Sequence, residues 1–219
     1  MVRSGLRPRT RPRRKRPKSY HHGDLRRALL QEAARTIQLQ GVERLTLRAV
    51  ADRLGVSRTA LYRHFADKST LLAGVAAEGF RTLATVTLAA WQETGTGLDG
   101  LAAMGIAYVD FAVTHPSHYR VMFGGSVDAG AKDPTFDQDA SWAFEVLVTA
   151  LVTLQTDGLI RTGDPVQLAQ FVWATVHGVA MLGIDGKLQH QDADAMDLAR
   201  FAVGRIQASL TAMDNGLTD

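Results

Sequence analysis

Thr46-Leu-Arg-Ala-Val-Ala-Asp-Arg-Leu-Gly-Val-Ser-Arg-Thr-Ala-Leu-Tyr-Arg-His-Phe65 reads as two short helices joined by a tight turn. Leu47, Val50, Ala51 and Leu54 recur at three- and four-residue steps, so they share one helical face, and Thr46 stands where an N-cap is needed. Gly55 follows the last of them, where a helix end commonly takes a left-handed backbone that glycine adopts without strain. Ser57 then caps a second helix, whose Leu61 and Phe65 turn back onto the first. Counted from Leu47, Ala51 is fifth, Gly55 ninth and Leu61 fifteenth, a spacing that lets two helices cross closely at a steep angle. The pattern is that of a helix-turn-helix.

The outward side of the second helix carries Arg58, Thr59, Tyr62, Arg63 and His64, all able to donate hydrogen bonds, and no carboxylate. Such a face suits a groove lined with phosphates. The plainer alternative, a solvated basic helix in an ordinary helical domain, leaves the agreement of turn, caps and core spacing unexplained.

Charge is segregated along the chain. Residues 1–18 hold nine Lys/Arg and no acid, residues 19–73 hold nine against five, and residues 74–219 hold seven against seventeen, within a net charge of +3. The cations sit where nucleic acid would be met, and the acidic remainder should face away from a polyanion. With 219 residues, 46% of them hydrophobic, the chain can bury a sizeable core. The absence of cysteine removes disulfides, thiolate nucleophiles and cysteine metal sites, and fits a reducing cytoplasm. The longest apolar stretch, Leu168 to Ile184, is interrupted by Gln170 and His177 and falls short of the roughly 20 residues a bilayer needs, so no membrane partner is expected. The basic N-terminus lacks the apolar run of a signal peptide.

Residues 1–18 read as a flexible basic arm, with Pro8, Pro12 and Pro17 blocking a helix and Arg13, Arg14, Lys15, Arg16 and Lys18 densest near its end. Such an arm adds salt-sensitive affinity or reaches into a minor groove. Helix one should run from about Gly23 to Gln40, with a stripe of Leu29, Ala33, Ile37 and Gln40, and end at Gly41. His21 and His22 ahead of it are read as solvent-facing or near phosphate, not as metal ligands. Asp67 caps a long fourth helix that continues to about Trp91 and is broken by Gly95-Thr-Gly97. The rest reads as helices over Leu101–Thr114, Pro116–Phe123, Phe136–Thr156, Asp164-Pro165 to about Gly183, and Ala193 to about Met213, with a mobile loop from Gly124-Gly125 to about Pro134.

Trp91, Tyr108, Phe111, Tyr119, Met122, Phe123, Trp142, Phe144, Trp173 and Met181 are large, and as a set they fit a partly apolar cavity as well as a filled core. His177 lies one turn beyond Trp173 on the same face, where it could donate to a ligand or to a partner subunit. No local motif assembles a nucleophile, base and orienting acid, and there is no Gly-rich phosphate loop or metal-ligand spacing. No catalytic residue, metal or cofactor is expected.

The run from Tyr20 through Leu72 resembles the DNA-binding domain of the TetR/AcrR family of bacterial regulators. Tyr20-His-His-Gly-Asp-Leu-Arg26 opens its first helix, Leu47 to Phe65 is the helix-turn-helix, and Asp67-Lys-Ser-Thr-Leu-Leu72 starts the fourth helix. The resemblance implies that Lys68, Thr46, Tyr62 and His64 contact phosphates, while Arg58 and Thr59 read bases and Arg63 belongs to the same face. An arginine can grip the O6 and N7 of guanine bidentately. His115-Pro-Ser-His-Tyr-Arg-Val-Met-Phe-Gly124 and the spaced Trp173, His177 and Gly178 resemble the C-terminal half of TetR-like proteins named for a Trp-His-Gly signature. That implies a helical domain that dimerises through its last two long helices and holds a small ligand, with Trp91, Tyr108, Phe111, Met122, Phe123, Trp142, Trp173 and His177 as its candidate lining.

The expected fold is therefore all-α: a basic arm (1–18), a three-helix helix-turn-helix domain (19–66), and a helical effector-binding and dimerisation domain (67–219) entered through the linking fourth helix. The expected function is a dimeric regulator, a repressor by resemblance, that binds a palindromic double-stranded DNA operator and is released by a small effector. The alternative is a DNA-organising protein that binds through its arm and takes no effector.

Overall fold

Capping residues and glycines cut the chain into helices at the places the sequence marks. The computed structural model describes residues 22–125, 127, 133, 135–188 and 194–211; the basic arm, Tyr20 and His21, and most of the expected loop from 124 to 134 lie outside them. Helix α1 (His22–Gln40) ends at Gly41, whose φ is 81°, and a short 3-10 turn (Val42–Arg44) follows that the apolar periodicity does not announce. Helix α2 (Leu47–Leu54) is capped by Thr46, whose Oγ1 accepts from the Ala49 amide at 3.1 Å, and stopped by Gly55 at φ 66°. Ser57 caps α3 (Arg58–Tyr62) by accepting from the Ala60 amide at 3.1 Å.

Helix α3 is shorter than expected. The Leu61 carbonyl accepts from both His64 and Phe65, at 2.9 and 3.0 Å, which closes the helix and leaves Arg63 and His64 in a turn. Phe65 still reaches the core, because the turn delivers it there.

Asp67 then caps α4 (Lys68–Thr94) by accepting from the Thr70 amide at 2.7 Å, and hydrogen bonds from Thr70 hold its carboxyl below the usual range. Helix α5 (Leu98–Thr114) begins three residues before Leu101, and α6 (Pro116–Phe123) starts on its proline. Helix α7 (Phe136–Thr156) is followed by α8 (Pro165–Ile184), whose cap Asp164 accepts from the Val166 amide at 2.8 Å. Helix α9 is described over Ala195–Thr211, within the span expected for it. No strand occurs among the described residues.

Two packed regions share α4. In the first, Leu29, Ala33 and Ile37 of α1 meet Val50 and Ala51 of α2, Leu61, Phe65, and Leu71 and Val75 of α4, all buried. Gln40, expected on that stripe, is exposed; Leu30 and Ala34 widen the buried face instead. Gly74 lets α1 and α4 approach closely, since a Cβ there would stand 2.8 Å from Leu30 Cδ2 and 3.1 Å from the Phe65 ring. In the second region α4 packs along α5, α6 and α7, while α5 also packs on α8 and α9. Gly105 permits the α5–α9 contact: a Cβ would lie 2.5 Å from Val203 Cγ1.

An ion pair ties the two regions together, and another holds α7 to α4 within the second. Arg26 of α1 reaches Asp133, just before α7, at 2.6 Å, and its guanidinium lies 5.3 Å from the centre of the Phe65 ring. The second oxygen of Asp133 accepts from the Thr135 amide and hydroxyl at 3.0 and 2.9 Å. Arg81 of α4 clasps Asp139 of α7 through two hydrogen bonds of 3.2 and 2.6 Å.

Two helices are, contrary to the sequence expectation, long and apolar enough to cross a membrane by length and composition: Lys68–Thr94 and Pro165–Ile184. The first has 67% of its apolar window buried inside the protein, which accounts for its composition; the second has only 28%.

Candidate DNA-reading face and core cavity

The reading face is built on backbone ends. Arg58, Thr59, Tyr62 and Arg63 are exposed on and just after α3, with His64 and Lys68 half-buried beside them. Tyr62 is 56% exposed, a large aromatic surface left uncovered by its own chain. The Thr46 oxygen spends a lone pair on its cap, leaving the hydroxyl proton for a phosphate oxygen. Lys68 stands in the first turn of α4, where backbone N–H groups and the helix dipole already favour an anion.

The cations of this region divide by partner. Arg53 is taken by Glu32 at 3.1 Å and Thr36 at 3.0 Å, Arg26 by Asp133, and Arg48 pairs with Asp52 at 3.6 Å. Among the described residues no acid pairs with Arg58, Arg63 or Lys68. Their charge is left for a ligand.

The second site is a cavity of about 250 Å³ in the second region. Helix α4 supplies Phe80, Leu83 and Thr87, and α5 supplies Leu101, Met104, Gly105 and Tyr108. Phe123 ends α6 on its wall, α7 gives Ala140, Ala143, Phe144 and Leu147, and α8 gives Val172, Trp173 and Val176. On the α7 side the space is bounded by Ala140 and Ala143, whose methyls leave room that larger side chains would fill.

Of the large residues singled out from the sequence, Tyr108, Phe123, Phe144 and Trp173 line this cavity, and Trp91, Phe111, Tyr119, Met122, Trp142 and Met181 are not among its lining residues. Phe111 stacks on His115 with ring centroids 5.0 Å apart, Met122 fills the gap opposite Gly79, and Trp91 packs at the α4–α5 corner beside Gly100. Sequence reasoning passed over Met104, Ala140, Ala143 and Val176. Their only signal is helical spacing, which marks core and cavity alike.

His177, expected in the lining, is not among the lining residues; it stands behind Tyr108 and Trp173 and joins them through a chain of hydrogen bonds. Trp173 Nε1 donates to the Tyr108 hydroxyl at 3.0 Å, the Tyr108 and Tyr119 hydroxyls are 2.9 Å apart, and Tyr119 lies 2.6 Å from His177 Nδ1. Burial holds His177 below the usual histidine range, so the ring is neutral. Burial also pushes Tyr108 up to about 12 and raises Tyr119, so both phenols keep their protons. Two orderings satisfy every donor, and both have Trp173 donating to Tyr108 and His177 Nδ1 accepting. Tyr108 donates to Tyr119 and Tyr119 to Nδ1, or Tyr119 donates to Tyr108 and Tyr108 to Nδ1, with the remaining imidazole N–H on the half-exposed side. Donation from Nδ1 instead would strand one phenol proton inside.

A difference between two substitutions checks the central place of Tyr108, the acceptor of the Trp173 N–H in both orderings. Tyr108→Phe removes the acceptor of the Trp173 N–H and should cost about 1–3 kcal/mol. Tyr119→Phe should cost less, because Tyr108 lies 3.2 Å from His177 Nδ1 and can donate to it directly. Equal losses in denaturant unfolding would rule that central place out.

Among the described residues no group of three metal-ligating side chains occurs. The family model described as "Bacterial regulatory proteins, tetR family" matches residues 29–75, and the one described as "Tetracyclin repressor-like, C-terminal domain" matches residues 101–206. A curated relative, an uncharacterized HTH-type transcriptional regulator from Mycobacterium tuberculosis, is 24% identical over 174 residues, 78% of this chain and 75% of the relative. Among solved structures, a protein with unknown function from Rhodococcus sp. RHA1 is 32% identical with a TM-score of 0.79, over 89% of this chain and 100% of that one. The TetR family transcriptional regulator PfmR from Thermus thermophilus is 20% identical with a TM-score of 0.65, over 84% and 99%, and shares the fold. Both matched regions carry the same family's description and together take in most of the sequence: the chain belongs to the TetR family of DNA-binding bacterial transcriptional regulators.

Proposed function

We propose that this regulator works in the cytoplasm as a homodimeric repressor, holding a palindromic operator until a small effector enters the core cavity. The observation that carries the reading is the course of α4. It starts beside the reading face at Asp67, and Phe80, Leu83 and Thr87 further along it form cavity wall. At 1.5 Å per residue its 27 residues make a rod of about 40 Å. A guest that displaces the wall displaces the head.

In this reading residues 19–66 are the DNA-binding domain and 67–219 the effector and dimerisation domain. Arg58 and Thr59 read bases; Thr46, Tyr62, Arg63, His64 and Lys68 hold phosphates and fix the register. The basic arm adds affinity. Two heads about 34–36 Å apart would meet successive major grooves on one side of the duplex. An effector that prefers the released spacing 100-fold supplies about 2.7 kcal/mol against the complex.

The dimer reading rests on α8 and α9. Phe171, Trp173 and Leu182 of α8 and Phe201 of α9 are exposed, the last to 66%. Gly178 and Gly204 sit inside these helices with nothing within 4 Å of where a Cβ would be. A mid-helix glycine costs about 1 kcal/mol relative to alanine, and close approach of a second copy would offset that. Phe201→Glu, which disturbs no contact within the protomer core, should leave the fold intact and yield monomers in sedimentation at micromolar concentration. A variant that stays dimeric would move the interface elsewhere.

The test of function is selection of DNA by the purified full chain at physiological salt, repeated without residues 1–18. A palindrome recovered by both forms supports the regulator reading. No enriched sequence from either, with binding that falls steeply with salt, would replace it by a DNA-organising role for the arm.

A further inference from the structure

We infer that the cavity takes an uncharged, largely hydrocarbon guest of about ten to fifteen non-hydrogen atoms, aromatic in part; this rests on the effector reading and specifies its ligand. Size comes from the volume. A dry apolar cavity of about 150 Å³ accepts benzene, and this one measures about 250 Å³. Shape preference comes from the rings of Phe80, Tyr108, Phe123, Phe144 and Trp173 on its wall, which offer faces and edges to a planar guest.

Charge is excluded by the lining. Among the described residues no Lys, Arg, His, Asp or Glu lines the cavity. A carboxylate or ammonium would leave water without gaining a counter-charge, which is strongly unfavourable. The polar atoms that the wall does hold have their protons committed: Thr87 Oγ1 donates to the Leu83 carbonyl at 2.9 Å, Trp173 Nε1 to Tyr108, and Tyr108 to Tyr119 or to His177 Nδ1. What remains is oxygen lone pairs, chiefly those of Thr87. They can receive one hydroxyl or N–H of a neutral guest, and they repel a carboxylate.

The experiment follows thermal unfolding of the full-length protein against concentration of three probes of one shape: 2-methylnaphthalene, 2-naphthoate and 2-naphthylmethylammonium. The same series is run on Ala143→Leu, which narrows the cavity from α7, and on Ala140→Leu should the first variant not fold. The expected result is a rise in melting temperature with 2-methylnaphthalene, apparent affinities at least tenfold weaker for the two ions, and a rise cut by at least half in the variant. Either ion binding within tenfold of the neutral probe overturns the uncharged class while leaving the cavity as the effector site. No rise with any probe, or a rise the variant cuts by less than half, overturns the cavity as the binding place. A neutral probe that binds there yet leaves the selected operator complex intact would keep this ligand chemistry and sink the effector reading instead.

Discussion

Phe65→Ala is expected to melt the DNA-reading head while the second region stays folded. Phe65 is almost wholly buried, borders Gly74 on α4, and carries the Arg26 guanidinium over its ring. Truncating such a ring costs about 3–5 kcal/mol, a large share of what a head of three short helices can hold. The loss should be local, because the head meets the rest chiefly through α1, α4 and α6. Hydrogen exchange is the measurement: amides from 25 to 65 should lose protection by two orders of magnitude or more, and those of α5, α8 and α9 should keep theirs. Equal loss throughout would mean that head and bundle unfold as one unit.

Arg58→Ala carries the second large effect, because the symmetric dimer proposed above would suffer it twice. Losing one bidentate base contact costs about 1–3 kcal/mol. Over two half-sites the complex should weaken by about 2–6 kcal/mol, roughly 30-fold to 10⁴-fold. The selected operator should become indifferent to one base in each half. Lys68→Ala should instead weaken all DNA evenly and flatten the salt dependence. If Arg58→Ala weakens operator and random DNA by the same factor, Arg58 holds a phosphate and the base reader lies elsewhere on α3.

The caps at Thr46, Ser57, Asp67 and Asp164, and the stop at Gly55, were legible because each is settled within three or four residues of itself. The end of α3 was not: its closure depends on which amides the Leu61 carbonyl takes once Phe65 is drawn into the core. The cavity was less legible still. Choosing large residues found Tyr108, Phe123, Phe144 and Trp173 on its wall, and equally Phe111 and Met122, which fill space elsewhere. An empty volume is made by what is missing, here side-chain bulk at Ala140 and Ala143 on α7, and no local pattern marks which small residue faces a void. The tie between Arg26 and Asp133 spans 107 residues of sequence and has no local sign at all.

That tie makes the head a body held at two points. A mast stepped into a deck can sway, but one braced by a stay turns when the stay's anchorage moves. Helix α4 is the mast, Arg26 the upper fixing, and Asp133 the anchorage, three residues before the first residue of α7. The Asp133 end is buried, so ionic strength slackens this stay far less than it would a surface pair. A shift of α7 against α4 therefore acts as a torque. At the end of a rod of about 40 Å, a turn of about 5° carries the tip about 3.5 Å, and in a two-fold assembly the opposite tip travels as far the other way.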